Sequence, residues 1–141
     1  MDESLIEELI GDARVGRLAT VDARGDPHVV PVCFALSDGR VFIALDEKPK
    51  RLPPERLQRV RNIAANPNVQ LLIDRYDEDW SRLAFVQLRG RASLVRPGDG
   101  EHGLAVASLR EKYRQYNAMA LDTLPLIKIE VERVVSWKAS H

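Results

Sequence analysis

The chain has 141 residues, with 21 lysines and arginines balanced by 21 aspartates and glutamates, 45% apolar and 30% charged. That balance fits one globular domain over residues 1–141 and gives poor electrostatic footing for nucleic acid. No apolar run approaches the roughly 20 residues that cross a bilayer. The N-terminus lacks the basic flank and apolar core of a signal peptide, and the lone Cys33 has no partner for an internal disulfide, so a cytoplasmic protein with a reduced, buried thiol is expected.

In chain order, Leu5, Ile6, Leu9 and Ile10 recur at helical spacing between Ser4 and Gly11, predicting a short amphipathic helix. Residues 15–21 and 28–36 read as strands around a turn at 22–27, and residues 37–40 turn the chain into a further strand at 41–45. Connections this short require an antiparallel meander, because a parallel pair needs a crossover of a dozen or more residues. Pro53-Pro54 is placed to open a second helix, since the first helical turn tolerates proline, and Asn66-Pro67-Asn68 ends it. Strands follow at 69–74 and 84–95, the latter with Gly90 as a candidate bulge. A helix over 104–117 and a last strand over 126–137 complete the pattern. Some six strands with helices at their connections predict a mainly β antiparallel barrel with flanking helices.

Positive charge gathers between positions 48 and 61. Lys48, Lys50, Arg51, Arg56, Arg59 and Arg61 face only Glu55, giving +5 (six minus one) on a neutral chain. A local cluster at a strand-to-helix corner points to one anionic ligand, and the free N–H groups of a helix start favour phosphate or carboxylate. With Leu57, Val60, Ile63 and Ala64 facing the core, Arg56 and Arg59 lie about 60° apart and can share a phosphate, while Arg61 lies roughly 160° from Arg59. The plain alternative is a solvated helix face.

Other motifs carry less. Gly98-Asp99-Gly100-Glu101-His102-Gly103 has the form G-x-G-x-x-G, with Asp122 about 20 residues on. The strand before it alternates, however, and one downstream strand is too little for a dinucleotide-binding wing, so it reads as a surface loop. Asp74, Asp77, Glu78 and Asp79 lack calcium-loop spacing and read as a solvated turn. No Cys/His spacing suggests zinc, and no metal is expected. Trp80 is either a packing residue or an aromatic wall for a planar ligand. His28 is either a strand-end packing residue or, functionally, a general acid or ligand contact. No G-x-S-x-G elbow supports a hydrolase, and no side chain stands out as catalytic.

The order of these segments resembles one family. Thr20-Val21-Asp22-Ala23-Arg24-Gly25-Asp26-Pro27-His28-Val29-Val30-Pro31-Val32 resembles the first hairpin of the pyridoxamine-phosphate-oxidase-like, flavin-binding split-barrel proteins. Arg59-Val60-Arg61-Asn62-Ile63-Ala64-Ala65-Asn66-Pro67-Asn68-Val69 resembles their basic helix-to-strand segment. Asp79-Trp80-Ser81 is similar to the subgroup dependent on coenzyme F420, a deazaflavin. The resemblance implies a six-stranded antiparallel split β-barrel (the FMN-binding split barrel) that forms a homodimer, with its small-molecule cofactor between the subunits. By position, Arg59 and Arg61 match the family's phosphate-holding residues. Lys48, Lys50 and Arg51 on the preceding loop, with Arg56, would add contacts to an anionic tail. Val32 and Phe34 would edge the ring, and Trp80 would reach the neighbouring subunit's site. Two departures stand out: the loop before the basic segment is longer, and the C-terminal segment of the true oxidases is missing. The implied activity is an F420-dependent oxidoreductase passing hydride from the reduced cofactor to a small conjugated substrate. FMN-dependent chemistry on the same fold and a non-catalytic flavin- or deazaflavin-binding module are the alternatives.

Overall fold

Gly16–Val21 (β1) and Pro27–Val32 (β2) form the first hairpin, and one carboxylate shapes its turn. Asp22 accepts the backbone N–H groups of Arg24 at 2.8 Å and Asp26 at 2.9 Å. Gly25 completes the reversal at φ 89°, where a side chain would be strained. The computed structural model describes residues 2–45, 53 and 56–140.

The strand expected at 28–36 breaks at Cys33 and Phe34. Phe34 is fully buried, and its N–H leaves the ladder to donate to the Tyr113 hydroxyl at 3.1 Å. The chain resumes as Ala35–Ser37 (β3) and turns through Asp38 at φ 53° and Gly39 at φ 77° into Arg40–Ala44 (β4). Positive φ at both turn residues matches the twist of a tight hairpin. Three longer strands follow: Asn68–Arg75 (β5), Ala84–Val95 (β6) and Leu126–Lys138 (β7). The strands run β2-β1-β5-β6-β7-β4-β3, each pair antiparallel. β2 and β3 lie at opposite ends of this order yet are joined by two residues. The sheet therefore curls until its ends approach, giving the expected split barrel. Among the described residues it has seven strands, not six, because the break at Cys33 and Phe34 divides one strand in two. The antiparallel pairing also rules out a dinucleotide-binding βαβ unit at the glycine-rich loop.

Gly90 marks a bulge, as its position in a strand suggested. The β6–β7 register shifts between Arg89 and Gly90, and a Cβ at Gly90 would collide with the Glu130 carbonyl oxygen. Alternation carries Leu71, Ile73, Val86 and Leu88 into the barrel, where they meet Leu18, Ile43 and Ile129. β4 is buried on both faces: Val41 and Ile43 face the barrel, while Phe42 and Ala44 pack in a second cluster with Leu109 and Tyr116.

Glu3–Asp12 (α1) begins one residue before the expected boundary at Ser4 because Asp2 caps it, accepting the Leu5 N–H at 2.9 Å. Its Leu9 and Ile10 close one side of the barrel. His102–Lys112 (α3) ends before the expected 117, and a tighter turn, Arg114–Ala118, continues from it. Gln58–Ala65 (α2) completes the helices. Among the described residues no helix is long and apolar enough to cross a membrane.

Candidate functional site

The basic helix starts later than proline placement suggested. Arg56 donates its N–H to the Pro53 carbonyl at 2.9 Å in a turn that precedes the helix, and Leu57 caps α2 with extended backbone (φ −65°, ψ 140°). Pro53-Pro54 therefore does not open it. Arg56 lies outside the helix, so the wheel angle between Arg56 and Arg59 does not apply.

What seats α2 is a polar tie that the apolar pattern hid. Asn62, 1% exposed, donates from Nδ2 to Thr20 Oγ1 at 2.9 Å and accepts at Oδ1 from Gln58 Nε2 at 2.6 Å. Thr20 is equally buried on β1. Val60 and Ile63 fill the barrel beside this tie, whereas Ala64, expected on the same face, is exposed. The helix thus lies more on its Arg59 side: Arg59 is 8% exposed, while Arg56 and Arg61 face solvent. Arg59 departs in this from a solvated face. Lys48, Lys50 and Arg51 lie outside the described residues.

His28 joins this corner. It is the cross-strand partner of Thr20, and side chains directly opposed in an antiparallel pair share one face. Its Nδ1 is shut from solvent and, among the described residues, meets no hydrogen-bond partner. An orphaned ring nitrogen beside a polar tie and an arginine-bearing helix fits a polar, anionic ligand.

The ring-edge residues occupy the other end of β2. Val32 is buried opposite Gly16, and Phe34 is covered by Lys112, whose Nζ lies 3.7 Å from the ring centroid. Trp80 stands apart, 67% exposed in a short turn, Trp80–Arg82, with its Nε1 donating to the Tyr76 hydroxyl at 3.3 Å. Ala19 faces Gln70, so the foot of α2 lies near the Asn68 end of β5, and Trp80 follows the far end. At about 3.3 Å per residue the two are separated by about 20 Å along the strand. The acidic loop before Trp80 is structural. Asp79 accepts from the Ser81 N–H and hydroxyl, which hold its carboxyl below the usual range, and Asp77 pairs with Arg82 at 3.0 Å.

Next to that turn the outer sheet face carries an apolar hollow of about 350 Å³, lined by Leu72, Tyr76, Phe85 and Trp137 among others. Phe85 and Trp137 stack at 5.9 Å between centroids.

The sequence profile of the pyridoxamine 5'-phosphate oxidase family matches residues 3–138. The chain belongs to that family. Among curated relatives, it is 28% identical over 123 residues to the 5a,11a-dehydrotetracycline/5a,11a-dehydrooxytetracycline reductase of Streptomyces rimosus, covering 86% of this chain and 72% of the reductase. Among solved structures it is similar to a conserved hypothetical protein of Mycobacterium tuberculosis (TM-score 0.79, 23% identity, 98% of this chain and 85% of that one). The heme storage protein HutZ of Vibrio cholerae matches with a TM-score of 0.75 at 19% identity, over 99% and 98% of the two chains. A FAD-binding protein of Mesorhizobium loti matches at 0.70 and 22%, over 96% and 94%. These structures share the split-barrel fold.

Proposed function

We propose that the protein is an oxidoreductase that binds coenzyme F420 and reduces a small conjugated substrate. The observation that carries this reading is the α2 corner, where Arg59 is held on the barrel by the Gln58–Asn62–Thr20 tie. Similarity to a dehydrotetracycline reductase supports the reaction class. The reduced deazaflavin supplies the hydride; the protein binds and orients the reactants. Arg56, Arg59 and Arg61, with Lys48, Lys50 and Arg51 before them, hold the anionic tail through charge-assisted hydrogen bonds. His28 Nδ1 gains the hydrogen-bond partner it lacks among the described residues. Val32 edges the ring, while Phe34, fully buried beneath Lys112, supports it from within the barrel and does not touch it.

The site is completed by a second copy of the chain. Trp80 lies about 20 Å from α2 along the same strand, and in this reading it serves the partner's site in a homodimer. The outer sheet face, with Val29 60% and Trp137 45% exposed, is the surface that such a dimer would cover.

FMN is the rival cofactor, favoured by the FAD-binding protein on the same fold, since one terminal phosphate would also suit this corner. A non-catalytic carrier is favoured instead by the heme storage protein. Mixing the protein with reduced F420 and a panel of conjugated ketones separates these readings. Cofactor oxidation that depends on protein and acceptor supports the reductase; binding without oxidation leaves the carrier.

A further inference from the structure

The ends of α1 and α3 meet over the break between β2 and β3 and bring two cations together. Lys112 Nζ sits over Phe34 and lies 5.4 Å from the Tyr113 ring centroid, and the Arg14 guanidinium lies 4.7 Å from the same centroid. Main-chain and hydroxyl groups hold the cluster in place. Arg14 Nη2 donates to the Lys112 carbonyl at 2.7 Å, and Lys112 Nζ donates to the Ile10 carbonyl at 3.3 Å. The Tyr113 hydroxyl donates to the Arg14 carbonyl at 3.0 Å while accepting the Phe34 N–H. Among the described residues neither cation has a carboxylate within ion-pairing distance.

Both cations line a cleft of about 590 Å³ between α1, α3 and β3. Burial first, and then the Arg14 charge, pull the Lys112 ammonium down to about 8 against the partial offset of Cys33 and Asp12. Two like charges gathered around the Tyr113 ring are an unfavourable arrangement that an oxyanion between them would relieve, adding charge-assisted hydrogen bonds. The rest of the lining narrows the ligand class. Leu36 presents an exposed apolar side chain, with the core residues Ile10 and Ala35 behind it, Ser108 offers a hydroxyl, and Glu7 and Glu111 repel a second negative charge.

We propose that this cleft binds a small organic monocarboxylate, its carboxylate held by Arg14 and Lys112 and its apolar body against the exposed Leu36. The inference does not depend on the cofactor reading.

Titrating the 15N-labelled full-length protein with benzoate, benzamide and inorganic phosphate by NMR tests it. Benzoate is expected to shift the amides of Gly11, Leu36 and Ser108 saturably, with Kd in about the millimolar range, and benzamide and phosphate to bind at least about tenfold more weakly. Lys112→Met and Arg14→Gln should each weaken benzoate by about tenfold, and Lys112→Arg by less than about threefold. The same spectra report whether each variant is folded. Absence of a saturable benzoate shift, equal binding of benzamide, or tighter binding of phosphate would each overturn the proposal on the parent protein alone. Unchanged benzoate affinity in the folded Lys112→Met and Arg14→Gln variants would do the same.

Discussion

Replacing Asn62 by leucine keeps the side-chain volume but removes both functions of the amide. Gln58 is exposed and regains water, so its loss is small. Thr20 is 1% exposed and loses the donor 2.9 Å away, leaving a buried hydroxyl with one partner fewer. Stranding such a group costs about 1–3 kcal/mol. Thr20→Val alone strands the Asn62 amide instead and should cost about the same. The double variant Asn62→Leu/Thr20→Val strands neither, and should fall within about 1 kcal/mol of the parent, because removing both partners of a buried bond is nearly neutral. Urea unfolding of the four proteins, with equal m-values, gives the coupling between the two sites directly. Additive losses, with the double variant the least stable of the four, would refute the claim that this hydrogen bond seats α2.

Gly90→Ala forces a Cβ onto the Glu130 carbonyl, and because a backbone atom cannot step aside the loss should be about 3 kcal/mol or more by urea unfolding. Gly100→Ala and Gly103→Ala meet open space and should change stability by less than about 0.5 kcal/mol, with cofactor affinity unaltered. Arg56→Ala combined with Arg59→Ala should weaken cofactor binding by about tenfold or more, measured by calorimetry on protein whose circular dichroism is unchanged. Lys112 gives a pH signature: its folded value of about 8 lies below its ordinary 10.5, so the folded state holds fewer protons than the unfolded chain between those values. Its destabilising contribution is full below about 8 and fades as pH rises towards 10.5, and the urea midpoint of the parent should gain on that of Lys112→Met across this window. Parallel midpoints for the two proteins would remove that charge from the account.

Where short-range chemistry decides, the sequence was legible. Asp38-Gly39 announces a two-residue turn, Gly90 a bulge, and the alternation from 84 to 95 a strand with one buried face, and all three are realised. The break at Cys33 and Phe34 was not legible, because it is enforced by Tyr113, 79 positions away from Phe34 in the chain. The same distance effect hid the Arg14–Lys112 cluster, whose members look like ordinary surface cations until α1 and α3 meet. Asn62 did leave a trace: a polar residue between Val60 and Ile63 on an otherwise apolar face signals a buried partner. The helix start was misplaced because a proline pair marks a permitted position for a first turn, whereas the chain here forms a separate turn at Arg56 before Leu57 caps the helix. Arg59, placed on the flank of the helix by periodicity alone, is buried because the helix lies over towards Asn62 and Thr20.

The central claim is that the arginines around α2 hold the tail of a deazaflavin. Titrating the cofactor-free protein with coenzyme F420 and with FMN in parallel, by calorimetry, tests it most directly. F420 should bind at least about tenfold tighter than FMN, a preference of roughly 1.4 kcal/mol. Tighter binding of FMN, or binding of neither, would contradict it.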